Sequence, residues 1–501
     1  MLATTNSDIA AYFSSTNPKR LISPSGLELT EEQSQFVYWA MKWVYDSAFI
    51  ERSELTTNTR FRLLTGLPGC GKSTCSMTLI AMLKLLKFKI CLAAPTHQAK
   101  EVLIEMAIEN NISVPCKTIY SLLGLRPEIT EDGEEVFVKD RSTIATLGDY
   151  DFVILDEVSM LNLNLWTQIK YSHDCPLILC MGDIEQLRPV KSDKKSPVFS
   201  DIKEHFTLTK VVRFQGAIAQ YVSAIRNSAS YVSPANYANN VDIKVCNKLE
   251  WFNELANITT TGNSFRALAF KNKSVNAINK IVRTEYYKRK YGYSINVSEL
   301  GQAFELEVNG SDLKATKKVF EWDELVIADY LAGDKLLFKK PFSEWSYLFN
   351  TNIVLIPNGT KAVVTRADQW VISGFDCYSL WVEWVELQEN GYREIKQKQI
   401  YALAEHEKPN FSVKLDKLKQ EALVYPKGRD RSAKFKEYFK LRNQFADVQH
   451  HFCSTIHKIQ GGTYDYIFVF SDLLECRDLA VQKELNYVAC SRAKTKLIIC
   501  Q

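Results

Sequence analysis

Apolar and polar positions alternate along this chain with two periods, and the change of period marks the elements. In "LTEEQSQFVYWAMKWV" (29–44) the apolar residues fall at helical spacing through Val44. Thr30 stands before them as N-cap, and Gln33, three residues on, is its capping-box partner. Short apolar runs then alternate with helix-like segments: "RFRLLTG" (60–66), 72–87, "KICLAAP" (89–95), 97–109, "DFVILDE" (151–157) and "PLILCMGD" (176–183). Such alternation predicts a parallel sheet flanked by helices, with ligands at the carboxyl ends of its strands. A second α/β pattern begins near 214, includes "SFRALAFKNKSVNAINKIV" (264–282), and resumes in "YDYIFVFSD" (464–472) and "KLIIC" (496–500).

Two stretches break the rhythm. "RPEITEDGEEVFVKD" (126–140) alternates with period two on either side of Asp132-Gly133, which predicts a β-hairpin standing out from the first sheet. In it Val136 and Val138 share one face, while Phe137 lies on the other beside Glu135 and Lys139. That ring either packs on a neighbouring element or is free to stack on a nucleic-acid base. From 291 to 449, "DELVIADYLAGDKLLF", "TNIVLIPNGTKAVVTRA" and "CYSLWVEWVEL" are β-rich with glycine turns, which predicts an inserted small barrel followed by a helical segment.

The chemistry begins in "FRLLTGLPGCGKSTCSMTLI" (61–80), where Gly66-x-x-x-x-Gly71-Lys72-Ser73 fills every fixed position of the phosphate-loop pattern between a strand and a helix. Glycines Gly66, Gly69 and Gly71 let backbone N–H groups wrap phosphate oxygens, and Lys72 reaches the β- and γ-phosphates. Ser73 ligates Mg²⁺, and the positive end of the helix at Ser73 and Thr74 adds to the anion site. A nucleoside triphosphate is therefore expected. "FVILDEVSM" ends a strand with Asp156 and Glu157: one carboxylate holds Mg²⁺ beside Ser73, and the other orients and deprotonates the attacking water. Gln186 in "GDIEQLRPV" is placed to sense the γ-phosphate, or is a surface glutamine. Arg213 in "LTKVVRF" and Arg492 in "NYVACSRAK" are candidate transition-state cations, a role worth ~10³–10⁵ in rate, although one arginine near a strand end is more often a salt-bridge partner.

Composition changes this picture little. The chain is 501 residues long, enough for several domains, with 46% hydrophobic and 24% charged residues, as in an ordinary globular protein. No apolar run spans a bilayer and the N-terminus lacks a secretory pattern, so a cytoplasmic protein without membrane contact is expected. Twelve cysteines form no C-x-x-C pair, which predicts reduced, buried thiols. The cluster His450, His451, Cys453 and His457 in "HHFCSTIH" fits no standard zinc spacing and is read as a DNA-contacting loop. The net charge of +4 is small. Residues 412–443, however, hold ten Lys or Arg against four Asp or Glu with aromatics interleaved, which suits either a polyanion track or a solvated helical face.

In order, Gln33, the phosphate loop, "APTHQAK", "TIYSLLG", "LDEVSM", "GDIEQLRP", "KVVRF", "STIHKIQGGTYD" and "NYVACSRAK" resemble the motif series of superfamily 1 helicases, and within them the 1B branch of Dda-type phage helicases and RecD-like proteins. Cys453 and Cys490 stand where the family often has alanine and threonine. The resemblance implies an α/β fold of two RecA-like parallel-sheet domains, one at 1–122 and 147–213, the other at 214–290 and 450–501. It implies a pin hairpin at 123–146 and an SH3-like β-barrel with a basic helical segment at 291–449. ATP then sits between the two α/β domains, with Arg213, Gly461 and Arg492 facing the phosphate loop and Gln33 reading the adenine edge. Single-stranded DNA runs over Pro95, Thr96, His97 and Thr118 on one domain and Asn272, Thr455, His457 and Lys458 on the other, contacts suited to phosphates rather than bases. For each of these singly, loop packing or capping competes with a DNA contact.

The activity so implied is ATP-dependent DNA unwinding with 5′-to-3′ translocation, Phe137 acting as a wedge at single-strand/duplex junctions. The expected protein is a monomer in a bacterial or phage-infected cell, with replication or recombination proteins as partners. An RNA-directed motor remains an alternative, because nothing reports on a 2′-hydroxyl. A phosphate-loop small-molecule kinase fits less well, since it needs no second α/β domain, and a non-hydrolysing binding module has no use for Glu157.

Overall fold

The computed structural model describes residues 20–47, 50–129, 135–139, 144–189, 192–212, 216–228, 231–290, 328–346, 351–387, 393–426, 429–459 and 462–501. Helix α1 (Glu31–Ser47) opens on the expected capping box: the Thr30 N–H donates to Gln33 Oε1 at 2.9 Å, and the Gln33 N–H donates to Thr30 Oγ1 at 3.3 Å. Its apolar stripe, Phe36, Val37, Ala40, Met41 and Val44, is buried in the first core. Then follow β1 (Phe61–Gly66), α2 (Lys72–Leu85), β2 (Ile90–Ala94), α3 (His97–Glu109), β3 (Cys116–Thr118), β4 (Leu125–Ile129), β5 (Glu135–Lys139), β6 (Phe152–Leu155), α4 (Leu163–Lys170), β7 (Leu177–Gly182) and β8 (His205–Leu208). Six of these strands form one parallel sheet in the order β3-β2-β6-β7-β1-β8. Strands β2, β6 and β7 are buried at every position, as helices on both faces of a parallel sheet require, which is why their sequences are unbroken apolar runs.

The hairpin stands apart as a two-stranded ribbon of β4 and β5, with Leu125 opposite Lys139 and Pro127 opposite Phe137. Its expected turn at Asp132-Gly133 lies outside the described residues.

The second half contains α5 (Gly216–Asn227), β9 (Ile243–Cys246), α6 (Lys248–Ile258), β10 (Phe265–Ala269) and α7 (Asn272–Lys290). The insertion supplies β11 (Lys335–Phe338), β12 (Phe342–Ser346), β13 (Thr351–Ile356), β14 (Lys361–Ile372), β15 (Phe375–Leu387), β16 (Arg393–Leu403), α8 (Lys408–Leu423) and α9 (Arg429–Arg442). After it come β17 (Val448–His450), β18 (Cys453–Thr455), β19 (Tyr464–Val469), α10 (Leu479–Cys490) and β20 (Ala493–Cys500). A second parallel sheet has the order β18-β10-β19-β20-β9, so strands on either side of the insertion complete one sheet. The insertion builds an antiparallel sheet, β16-β15-β14-β11-β17, and a ribbon of β12 and β13. Helices α8 and α9 close on their own small core of Ala422, Phe435 and Tyr438, leaving most of the basic side chains outward. The insertion is fixed to the second sheet by a buried ion pair, in which Arg283 of α7 donates from Nε and Nη2 to Asp334 at 2.8–3.1 Å and the Tyr287 hydroxyl adds a third donor at 2.9 Å.

All twelve cysteines are buried free thiols. Among the described residues no helix is long and apolar enough to cross a membrane.

Candidate nucleotide site and nucleic-acid face

Strand β1 delivers the chain into the phosphate loop, where the glycines are required sterically. A Cβ at Gly66 would come 2.6 Å from the Leu208 carbonyl oxygen. At Gly71, which caps α2 with φ +88°, a Cβ would collide with the Gln33 side-chain nitrogen. Lys72 Nζ donates to the loop's own carbonyls, Gly66 O at 2.7 Å and Leu67 O at 3.1 Å, so the cation is held over the concavity. Ser73 and Thr74 lie half-buried in the first turn of α2. Gln33 reaches the loop from α1: its Nε2 donates to the Cys70 carbonyl at 2.9 Å, while its Oε1 serves the helix cap.

Asp156 and Glu157 follow β6 beside the loop. The Asp156 N–H continues the sheet by donating to Ala93 O at 2.8 Å, and Asp156 Oδ1 accepts the Glu157 N–H at 2.8 Å. Glu157 is buried and left-handed, with φ +53°, a conformation that costs a non-glycine residue roughly 1–2 kcal/mol. Burial, and then the neighbouring Glu157 carboxylate, push the Asp156 carboxyl well above the usual range, while Lys72 and Arg492 pull the other way. Two carboxylates crowded in a buried pocket call for a cation.

From the tip of β7, Gln186 is 4% exposed and its Oε1 is buried without a hydrogen-bond partner. From the far side, Arg492, which follows α10, is also 4% exposed, with Nε and Nη2 unpartnered. Buried donors and acceptors are nearly always satisfied, so orphans of both kinds are suited to a ligand that supplies the missing partners. The loop, Asp156 and Arg492 are close enough for Lys72 and Arg492 to act on one carboxyl. Arg213 and Gly461 lie outside the described residues, next to Val212 and Gly462.

The candidate nucleic-acid residues all sit at carboxyl ends of parallel strands. After β2, Pro95 is buried, Thr96 caps α3 by accepting the Ala99 N–H at 3.1 Å, and His97 opens that helix. Burial and then Lys100 lower the His97 pKa to about 4, which keeps the ring neutral. Thr118, at the end of β3, accepts the Ser121 N–H at 3.2 Å and is buried. On the second sheet, Asn272 is exposed at the start of α7, in a loop fixed by buried Asp472, whose carboxylate accepts the Phe270 and Lys271 N–H groups at 2.8 and 2.9 Å. Thr455 ends β18 and is buried, His457 is exposed, and Lys458 is half-buried with its pKa lowered by burial and then by Lys339. Capping and packing thus account for Thr96 and Thr118 as the structure stands, whereas Asn272, His457 and Lys458 offer surface.

Phe137 keeps both readings its sequence left open. One face of the ring stacks on Tyr120, centroids 3.6 Å apart and planes 18° from parallel, yet the residue remains 37% exposed. Tyr120 lies two residues past Thr118, so the hairpin ring borders the candidate strand path. The "HHFCSTIH" cluster is not gathered as a ligand set. His450 Nε2 meets the Asp329 carbonyl at 3.1 Å, His451 meets Arg266, and Cys453 is fully buried in β18.

Sequence reasoning passed over a polar network between the two sheets. Asp183 at the end of β7 is fully buried, accepting the Tyr487 hydroxyl of α10 at 2.6 Å and pairing with Arg226 of α5 at 3.2 Å. Glu185 pairs with Lys483 at 3.1 Å, and Glu484 with Arg188 and Lys195, each at 2.9 Å. The one available signal was that Lys483, Glu484 and Tyr487 share a helical face that is polar within an otherwise buried helix.

Parts of the chain are similar to described families. The AAA domain family matches residues 51–246, and the UvrD-like helicase C-terminal domain matches residues 450–500. The chain is 26% identical over 458 residues to the ATP-dependent DNA helicase dda of Enterobacteria phage T4, covering 86% of this chain and 92% of that one. It is 28% identical over 155 residues to the ATP-dependent RecD2 DNA helicase of Deinococcus radiodurans, 31% of this chain and 20% of that one. Among solved structures, Pif1 helicase from Candida albicans aligns over 95% of this chain and 94% of its own at 13% identity, with a TM-score of 0.47.

Proposed function

We propose that this chain, a superfamily 1B helicase of the Dda-type and RecD-like branch, hydrolyses ATP to move along single-stranded DNA and separate duplex ahead of it. The observation that carries this reading is the Asp156 carboxyl, acted on by Lys72 of the phosphate loop from one sheet and by Arg492 from the other, with Arg492 Nε and Nη2 buried and unpartnered. A nucleotide site assembled from two sheets turns hydrolysis into relative motion of the bodies that carry them.

In this reading the loop N–H groups and Lys72 bind the phosphates, exchanging the carbonyls that Lys72 now contacts for phosphate oxygens. Ser73 and Asp156 would hold Mg²⁺, which supplies charge neutralisation at the transferring phosphate. Glu157, fixed by its left-handed backbone, takes the proton of the attacking water, and Gln186 orients that water. Arg492, with Arg213, stabilises charge on the equatorial oxygens. DNA would lie across the carboxyl edges of both sheets, over His97, Asn272, His457 and Lys458, and meet the hairpin at Phe137. We assign 5′-to-3′ polarity on the kinship with the 1B branch, and a monomer acting in the cytoplasm of a bacterial or phage-infected cell.

The test is ATP turnover without nucleic acid, with single-stranded DNA, with RNA and with small phosphate acceptors. Stimulation by single-stranded DNA is expected, and Lys72→Ala should lose turnover while retaining DNA binding. Equal rates with and without DNA would remove the motor reading, and a preference for RNA would redirect it.

A further inference from the structure

Asp183 and Tyr487 are both fully buried. Oδ2 of Asp183 accepts the Tyr487 hydroxyl at 2.6 Å, and Oδ1 accepts the Glu185 N–H at 3.1 Å. Arg226 Nη1 lies 3.2 Å from Oδ1 and 3.3 Å from the Tyr487 oxygen, closing a three-membered ring of donors and acceptors. Burial and the Asp183 carboxylate push the Tyr487 phenol well above its ordinary range, so it stays a donor. An ion pair buried this way is weak evidence for stability, because apolar residues of equal volume often serve as well.

What the ring joins is more telling. On one side the Asp183 carboxylate accepts the Glu185 N–H and its main-chain carbonyl accepts the Gln186 N–H, each at 3.1 Å, so Asp183 fixes the turn that carries the unpartnered Gln186 Oε1. On the other, Tyr487 stands five residues before Arg492 on the helix that leads directly to it, with only Ser491 between α10 and the arginine. Lys483 and Glu484, one turn earlier on α10, grip the same loop at Glu185 and Arg188. The groups from the two sheets that would face the γ-phosphate are thus held in register by contacts centred on one carboxylate that itself touches neither.

We propose, resting on the helicase reading, that Asp183 is a positioning residue for ATP turnover: through Tyr487 and Arg226 it sets Arg492 against Gln186 across the nucleotide cleft. Misplacement of a reacting group by ~1 Å can cost about a hundredfold in rate while binding survives. Loss of the ring should therefore appear in kcat and leave affinity for nucleotide and DNA nearly unchanged.

The experiment compares the full chain with Tyr487→Phe, Asp183→Asn and the double variant. It reads kcat and KM for single-strand-stimulated ATP turnover, together with stoichiometry and affinity for a fluorescent ATP analogue and thermal unfolding. Tyr487→Phe removes one oxygen and is the variant on which the outcome turns should Asp183→Asn fold poorly. The expected result is a fall in kcat of about tenfold or more for each single variant, one analogue bound per chain with affinity within about threefold, and a double variant no worse than the poorer single. Unchanged kcat in Tyr487→Phe, or a loss of analogue stoichiometry that accounts for the whole fall in rate, would overturn the proposal. Additive losses in the double variant would do so as well. A full-length wild-type chain without DNA-stimulated turnover would instead overturn the helicase reading itself.

Discussion

Gln33 performs two jobs with one amide, and a single change separates them. Gln33→Glu keeps an oxygen for the Thr30 N–H but sets a carboxylate against the Cys70 carbonyl, so α1 should survive while nucleotide affinity falls. Gln33→Ala loses both side-chain contacts, keeps the Thr30 cap on its own N–H, and should also cost about 0.5–1.5 kcal/mol of stability per lost hydrogen bond. Nucleotide titration and thermal unfolding, measured side by side, distinguish the two. His450 gives the pH dependence. Its Nε2–H donates to Asp329 and its Nδ1 is buried without a partner, so burial, and next Arg283, lower its pKa to about 4. Between pH 6.5 and 4 the unfolded chain binds the extra proton, so this contribution is full above about pH 6.5 and is lost as the pH falls toward 4. The loss is on the order of 3 kcal/mol. His450→Gln should flatten that acid limb in chemical unfolding without removing it, because burial lowers His97 and His451 as well.

At the scale of elements, the hairpin and the basic helices carry separate expectations. Phe137→Ala should keep DNA-stimulated ATP turnover and single-strand translocation but lose most unwinding, as measured on forked duplexes. Normal unwinding would leave the ring with only its packing on Tyr120, a contact worth ~0.5–1.5 kcal/mol. Helices α8 and α9 expose Lys414, Lys417, Lys436 and Lys440. Reversing these four charges should weaken DNA binding regardless of sequence and reduce the slope of log affinity against log salt. An unchanged slope would mean that these lysines only solvate the helices.

For the whole molecule, the insertion and the second sheet are expected to move as one body, since Arg283 and Asp334 join them through a buried bidentate pair. Removing only one partner leaves an uncompensated charge, so Asp334→Asn should destabilise the chain by about 3–5 kcal/mol in urea unfolding. Directional movement belongs to this scale as well. Forks with only a 5′ tail should be unwound in preference to those with only a 3′ tail. The reverse preference would show that the strand lies the other way across the two sheets.

Much of the candidate nucleotide site is legible in the sequence because its determinants are local: glycines at fixed offsets, a cap three residues from its partner, and apolar runs whose unbroken character follows from burial on both faces of a sheet. Those features fixed the parallel strands, the phosphate loop, the hairpin strands, and the positions of Lys72, Asp156 and Glu157. Spacing could not say where side chains from distant segments would meet. Gln33 meets the Cys70 carbonyl across 37 residues, and Tyr487 meets Asp183 across 304. Nor could it say that Phe137 would stack on Tyr120, or that Thr96 and Thr118 would turn their hydroxyls to helix caps. A buried polar atom must find a partner, and which partner it finds depends on how the sheets and the insertion are arranged in space, which only the assembled structure decides.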